Sequence, residues 1–505
     1  MPKEAIVIGS GFGGLAAANR LQAMGLRVKL FEMRPKLGGR AYQLRENGYT
    51  FDMGPSLVTA TEVIDSIFQA AGRSMTDYLD LVPLDPYYRV HFHDGTSIDY
   101  TGDPVHMKQQ MERFDARDAA RYDDFMESIR PIYDAVITGG LGAQPFDTVR
   151  SMVEFLPQAM RLKAYLPVTT YVNRYFRDFR HRFLYSFHPL FIGGNPFRSP
   201  SVYLMIPYLE AKQGVWYAKG GMYSLVEALA RLFVDQGGLI QTDAEVTEIV
   251  VKDGRATGVV VNGEAHSADV VVSNADVSHT YRSLVAPSAR GKWTDRKLER
   301  VDYTMSCFLL YLGVRRTYPE LAHHTLILSE RYKDLVEDIF ERKILADDFS
   351  MYLHAPTRSD PSMAPPGGES LYVLIPVPNL TADVDWDKEA APFTRKIIDF
   401  LEAWGLEGLS DNLEVCRQFT PLDFESQLHA AHGNAFGIEP KLLQTAYFRP
   451  HNRSEDVDGL YLVGAGTHPG AGVPGVMLSA EAVANCVGED LDLIPSTSQR
   501  VEAHV

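Results

Sequence analysis

Ala5–Glu32 reads AIVIGSGFGGLAAANRLQAMGLRVKLFE. A short apolar run of strand type, Ala5 to Ile8, leads into Gly9, Gly11 and Gly14, spaced G-x-G-x-x-G, and an Ala/Leu-rich helical stretch follows. In such a turn the first glycine permits the bend, the second lets backbone approach a pyrophosphate, and the third lets helix pack on strand. The phosphates then meet the N-terminus of the helix, where N–H groups lack intrahelical partners. A second strand, Arg27 to Phe31, ends in Glu32, at the distance of roughly 20 residues expected for an acid that accepts from ribose hydroxyls. The stretch is a dinucleotide cradle, and an acid at its end disfavours a 2′-phosphate.

Working outward, RPKLGGRAY follows, where Gly39 lets the chain pass close to the cofactor and Arg40 faces its phosphates. Flavoproteins of the glutathione-reductase fold carry this extension. FDMGPS comes next, and its Gly54-Pro55-Ser56 turn is expected to line an isoalloxazine ring. Between about residues 86 and 214 the pattern becomes mixed, and MKQQMERFDARDAARYDDFMESIR reads as solvated helical surface. The dinucleotide fold resumes at GVWYAKGGMYSLVEALARLFVDQGG. Alternating strands follow around a Lys252-Asp253-Gly254 hairpin signal, with Val246 placed to meet adenine through its backbone. The Pro/Gly loop DPSMAPPGGES reads as a surface connection. The last lobe runs from the strand Leu460 to Val463 through Gly464 and Gly466 to a helix after Pro474. Its first turn, at Val473, brings a positive dipole end towards the flavin. Residues 495–505 read as a frayed tail.

The reading is therefore an α/β protein with a discontinuous, glutathione-reductase-like (Rossmann-type) FAD-binding domain, residues 1–85, 215–298 and 451–505. An α+β substrate domain, 86–214 and 299–450, is inserted into it. The candidate cofactor residues are Gly9, Gly11, Phe12, Gly13, Gly14, Glu32, Gly39, Arg40, Gly54, Pro55, Ser56, Val246, Gly464, Gly466 and Val473.

Composition narrows the function. At 505 residues, 45% hydrophobic and 23% charged, the chain has the make-up of a globular protein with a large core. A formal net charge of −16 repels phosphate backbones and argues against nucleic acid as a partner. Cys307, Cys416 and Cys486 are too scattered for a redox pair or a metal set, and each reads as a small core residue in a reducing cytoplasm. No metal site is expected, and neither a disulfide reductase nor a second nucleotide cradle for NAD(P)H fits: Gly464-Ala-Gly466 continues as Thr-His-Pro. No secretory leader precedes the first strand and no stretch reaches the roughly 18 to 20 apolar residues that span a bilayer.

GLYLVGAGTHPGAGVPGV, taken with IGSGFGGL, GGRAY and FDMGP, resembles the bacterial-type phytoene desaturases. FHPLFIGGNPF, GVWYAKGG, SNADVSHTYRSL, LAHHTLILSERY, MYLHAP and AYFRPHNR extend the likeness across nearly the whole chain. The resemblance implies non-covalent FAD, a long apolar tunnel for a polyene, and removal of hydrogen from saturated carbons beside double bonds. No side chain accepts hydride, so flavin must supply that step, while the protein holds the carbon within about 3 to 3.5 Å of the acceptor. A hydrocarbon gives no polar handle, which assigns recognition to walls such as FHPLFIGGNPF and SVYLMIPYL.

Phytoene and its desaturation intermediates are the expected substrates, leading towards lycopene, with oxygen or a quinone as electron acceptor. His323, His324, His354 and His468 are the candidate bases for the departing proton, and none is assigned as catalytic. Because a polyene must be drawn from a bilayer, the protein is expected in the cytoplasm, peripherally attached to the inner face of the cell membrane. Ser151 to Phe176, with Arg161, Lys163 and Arg174, is the candidate patch; an equal alternative is a buried helix capping the tunnel, since Pro157 and Pro167 break the run. Rival readings are a carotene isomerase, a hydroxyneurosporene-type or C30 desaturase, a flavin amine oxidase, and a prenyl-binding escort protein of small GTPases. The intact glycine set, Glu32 and GGR speak against the last.

Overall fold

The computed structural model describes residues 2–493; the segment 495–505, read above as a tail, lies outside them. The opening stretch folds as the strand Glu4–Ile8, the helix Phe12–Ala23 and the strand Arg27–Phe31. Glu4–Ile8 is central in a parallel five-stranded sheet, in the order Leu460–Leu462, Val270–Ser273, Glu4–Ile8, Arg27–Phe31, Leu239–Gln241. Ala5 lies opposite Val270 on one side and Val28 on the other. Both faces of this sheet are covered, which is why its strands are almost wholly apolar.

Alternation along Glu4–Ile8 sends Ala5 and Val7 into the core beneath the helices and Ile6 and Ile8 into a second core on the opposite face. The first core is shared by Phe12–Ala23, Tyr223–Asp235 and Val473–Asp490. Ala16, Ala17 and Ala18, all buried, keep the first helix narrow enough to sit between the other two. At its start a Cβ on Gly14 would lie 2.0 Å from the Gly9 carbonyl oxygen, so helix and strand approach as the glycine spacing requires. The second core is closed by the antiparallel strands Val246–Lys252, Arg255–Val261 and Glu264–Ser267. The first two are joined through Asp253 and Gly254, both in left-handed conformation.

A seven-stranded mixed sheet forms the second large element. Its order is Leu413–Phe419, Ser306–Val314, Glu369–Val377, Met351–His354, His324–Ile327, Tyr88–His91 and Ser97–Tyr100. Tyr88–His91 runs parallel to His324–Ile327, so two distant parts of the chain share one sheet. Phe308, Leu310 and Leu312 pack on the helix Trp386–Trp404. Cys307, Leu309 and Tyr311 point the other way, into the core built with the helical segments of residues 104–213.

Four expectations change. Cys307 and Cys486 are buried, but Cys416 is exposed because it faces outward on the edge strand Leu413–Phe419. In the loop after Asp360, Met363 is buried and Asp360 accepts a hydrogen bond from the Gly220 N–H (2.7 Å), so this connection also braces the turn before Tyr223–Asp235. Within the charged helical stretch Asp118 is buried, accepting from the N–H groups of Arg177 and Asp178 and facing His181 Nδ1 at 2.9 Å. Finally, Pro157 does not break its helix: Val149–Arg161 runs through it, and the chain leaves the helix before Pro167. The carbonyl that loses its donor belongs to Val153, a solvent-exposed residue, where a lost backbone bond costs less than it would in the core.

Candidate functional site

One continuous cavity of about 820 Å³ joins the parallel sheet to the mixed sheet. Its wall includes Gly9, Gly11, Phe12, Gly13, Glu32, Gly39, Arg40 and Val246, with Gly464 against Gly13, and also Gly54, Pro55, Ser56 and Val473. Thirteen of the residues singled out from sequence therefore share one wall. Gly14 and Gly466 do not line it. Gly14 serves helix–strand packing, and a Cβ on Gly466 would meet the Val277 side chain at 2.6 Å.

The geometry suits a dinucleotide. The helices Phe12–Ala23 and Val473–Asp490 both begin at the cavity wall with glycine at the N-cap, Gly11 and Gly472. Neither has a side-chain cap or an acid in its first turn. Their first N–H groups are left for an anion, and the dipoles favour one. A Cβ on Gly39 would come within 3.2 Å of Gly11 Cα, and one on Gly54 within 2.2 Å of the Arg40 carbonyl oxygen, so the two loops close on each other only as glycines. Arg40 Nε is buried without a protein partner, as expected of a group that completes its hydrogen bonds on a phosphate. Glu32 is buried and oriented: Oε2 accepts from the Ser10 N–H (2.9 Å) and hydroxyl (2.5 Å), and Oε1 from the Arg34 N–H (3.0 Å).

Several residues of the site were not legible in the sequence. Asn274 is wedged between loops, since Cβ atoms on Gly11, Gly13 and Gly464 would all lie within 3 Å of its side-chain amide; the only signal was its place directly after the strand Val270–Ser273. Arg34 stacks on Tyr42, 3.7 Å from the ring centroid, and donates to the Gly39 carbonyl (3.2 Å).

Beyond Ser56 the cavity becomes apolar. Leu190, Phe191, Val202, Tyr203 and Ile206 line it on the helical side, and Cys307, Leu309 and Leu374 on the sheet side. A buried carboxylate interrupts this lining: Glu210 accepts from the Tyr88 hydroxyl and faces His188 Nε2 at 3.2 Å. The mouth is formed by Phe155, Leu156, Met160, Tyr165, Leu443 and Phe448, of which Leu443 is 72% exposed. Of the four histidines, His468 lies on the cavity wall, its pKa pushed down to about 3 by burial. His323, His324 and His354 gather behind Ser56, all three buried.

Fold and cradle define a flavin-dependent oxidoreductase, and residues 12–488 match the family described as flavin-containing amine oxidoreductase. The chain is 44% identical to "Phytoene desaturase (lycopene-forming)" of Pseudescherichia vulneris over 97% of its length and 100% of that protein. It is 40% identical to "Phytoene desaturase (neurosporene-forming)" of Rhodobacter capsulatus over 96% of its length and 94% of that protein. The chain belongs to the phytoene desaturases of bacterial type. Among solved structures, cyclohexylamine oxidase from Brevibacterium oxydans shares the fold, with a TM-score of 0.58 and 15% identity over 97% of this chain and all of that one. The cofactor is FAD.

Proposed function

We propose that this protein desaturates phytoene stepwise towards lycopene, with the FAD held non-covalently by the thirteen wall residues named above and the polyene in the apolar part of the same cavity. The observation that carries the proposal is the continuity of that cavity: the glycine-rich cradle and the apolar walls Leu190, Phe191, Val202, Ile206, Leu309 and Leu374 line one and the same space. FAD, when bound, accepts the hydride. The chain's own part is to hold the reacting carbons in place, exclude water with apolar walls, and keep Glu32 and Arg40 on the nucleotide.

The proposed division is a cofactor-binding body of residues 1–85, 215–298 and 451–505, with the rest forming the substrate body. The lycopene-forming relatives at 44% and 42% identity support the fully conjugated product. We infer oxygen or a quinone as the acceptor that would take up the electrons FAD, when bound, collects. No helix among the described residues is long and apolar enough to cross a membrane, and we assign uptake of phytoene to a cytoplasmic protein resting on the inner face of the cell membrane. The apolar mouth supports this, with Arg161 and Lys163 beside it for lipid phosphates.

The test is pigment analysis of cells that make only a phytoene synthase and this protein. Lycopene is the expected product; phytoene left unconverted by protein that is expressed and carries FAD would overturn the proposal.

A further inference from the structure

The cavity face of the mixed sheet carries two cross-strand rows. One is Leu309, Leu374, Tyr352 and Leu326; the other is Tyr311, Tyr372, His354 and His324. Three histidines and several tyrosines buried beside a hydrocarbon tunnel are costly to desolvate, and such groups persist where they are hydrogen-bonded or used. Here the bonds run in one direction. Ser56 Oγ, on the cavity wall at the isoalloxazine position, lies 2.5 Å from Tyr352 Oη, and Tyr352 Oη lies 2.6 Å from His324 Nδ1. His324 faces His354 across the strand pair, ring centroids 4.9 Å apart. The nitrogens His324 Nε2 and His354 Nδ1 have no protein partner. His354 Nε2 lies 3.1 Å from His323 Nε2, and His323 Nδ1 lies 2.8 Å from the hydroxyl of Ser359, which is half-buried at the protein surface.

We propose that Ser56, Tyr352, His324, His354, His323 and Ser359 form a proton path from the flavin end of the cavity to the surface. Desaturation removes two hydrogens from adjacent carbons. One leaves with its electron pair as the hydride that FAD accepts; the other leaves as a proton, its C–H electron pair becoming the second bond of the new double bond. That proton enters at Ser56, and each group along the path takes a proton on one side and gives one up on the other, so that one reaches solvent at Ser359. The central step, between the partnerless His324 Nε2 and His354 Nδ1, requires a bridging water, for which these two nitrogens would be the polar partners.

Burial holds His324 and His354 well below the ordinary histidine range, and His323 at about 3. Neutral imidazoles each offer one donor and one acceptor nitrogen, which a relay requires. The charged and titratable neighbours are Arg358, which further lowers His323, Asp52 near Tyr352, and the phenols of Tyr217 and Tyr372. The three histidines also bring one ligand nitrogen each within 4.8 Å of one another, so a bound metal ion is the competing use of the cluster.

Tyr352→Phe and His354→Gln are compared with the parent as FAD-loaded protein, mixed anaerobically with phosphatidylcholine vesicles containing phytoene. With FAD content unchanged, flavin bleaching is expected to slow roughly tenfold or more, within the range for a lost proton-transfer group, with a larger solvent deuterium isotope effect. Release of protons to a weakly buffered medium should lag behind bleaching. Parental bleaching, isotope effect and proton release in both variants would overturn the path. Should the variants lose FAD, 15N spectra of histidine-labelled parent holoenzyme decide. Three neutral imidazoles among the buried histidines at pH 7 support the path, whereas an imidazolium in the cluster, or stoichiometric zinc with metal-shifted histidine resonances, removes it.

Discussion

Ser10 and Arg34 fix the Glu32 carboxylate before any nucleotide arrives, so a ribose bound there as proposed would meet an acceptor that has little side-chain entropy left to lose. Glu32→Ala is therefore expected to weaken FAD binding by the worth of a hydrogen bond to a charged group, about 1.5–3 kcal/mol or roughly 10- to 160-fold. Titrating FAD into apoprotein and following flavin fluorescence checks this; an unchanged dissociation constant would detach Glu32 from the ribose. Asp52 shows burial acting on a carboxyl with no cation beside it. Burial raises its pKa to about 7 although the N–H groups of Met222 and Tyr223 donate to it. A folded-state pKa above the unfolded one favours the protonated form. The stability Asp52 allows is thus complete below about pH 4 and is lost as the pH rises through about 7. Asp52→Asn keeps an acceptor for Met222 and cannot ionise. Melting curves should show the parent losing on the order of 1–4 kcal/mol across that window relative to the variant.

At the level of elements, the helix Val149–Arg161 decides how the cavity meets the outside. Val149, Val153, Leu156 and Met160 recur at helical spacing and are 51–65% exposed. Met152, Phe155 and Ala159, on the neighbouring face, line the cavity. Such a stripe beside a hydrocarbon mouth suits an interface that is itself apolar. Replacing Val153, Leu156 and Met160 together by serine should lower co-sedimentation with phosphatidylglycerol vesicles more than tenfold. Each of these side chains is worth up to about 1.5–3 kcal/mol when transferred from water. FAD content should not change; full vesicle binding by the variant would place the membrane contact elsewhere.

What the sequence disclosed follows the same division. The glycine spacing, the hairpin at residues 252–254 and a final helix, read as following Pro474 and found to start at Val473, were legible because each rests on backbone geometry within a few residues. The relay at Tyr352 was not, because it depends on a register between strands that only the folded sheet aligns. Asn274 was hidden for a like reason, since its three glycine neighbours come from both ends of the chain. Pro157 misleads because its cost depends on tertiary surroundings: the helix it interrupts lies at the surface with none of its residues buried.

For the whole molecule, the cavity lies between the parallel and the mixed sheet, so a ligand that fills it touches both cores. Binding to the folded state alone stabilises by mass action, about 2.7 kcal/mol at a free concentration 100-fold above the dissociation constant. Apoprotein titrated with FAD should therefore melt several degrees higher, in one transition if the two sheets unfold together. A melting temperature indifferent to FAD would mean that the cofactor does not bind at this junction. The mouth helix stands apart from this coupling, for none of its residues is buried. Its inward face is held by the cavity and by Phe155 against Phe146, but the outward positions Val149 and Val153 touch little else, so substitutions there should cost little stability while changing the surface presented. The proposed attachment would thus be adjustable: the outward stripe of that one helix can change in charge or apolar area while the cavity-lining face stays as it is.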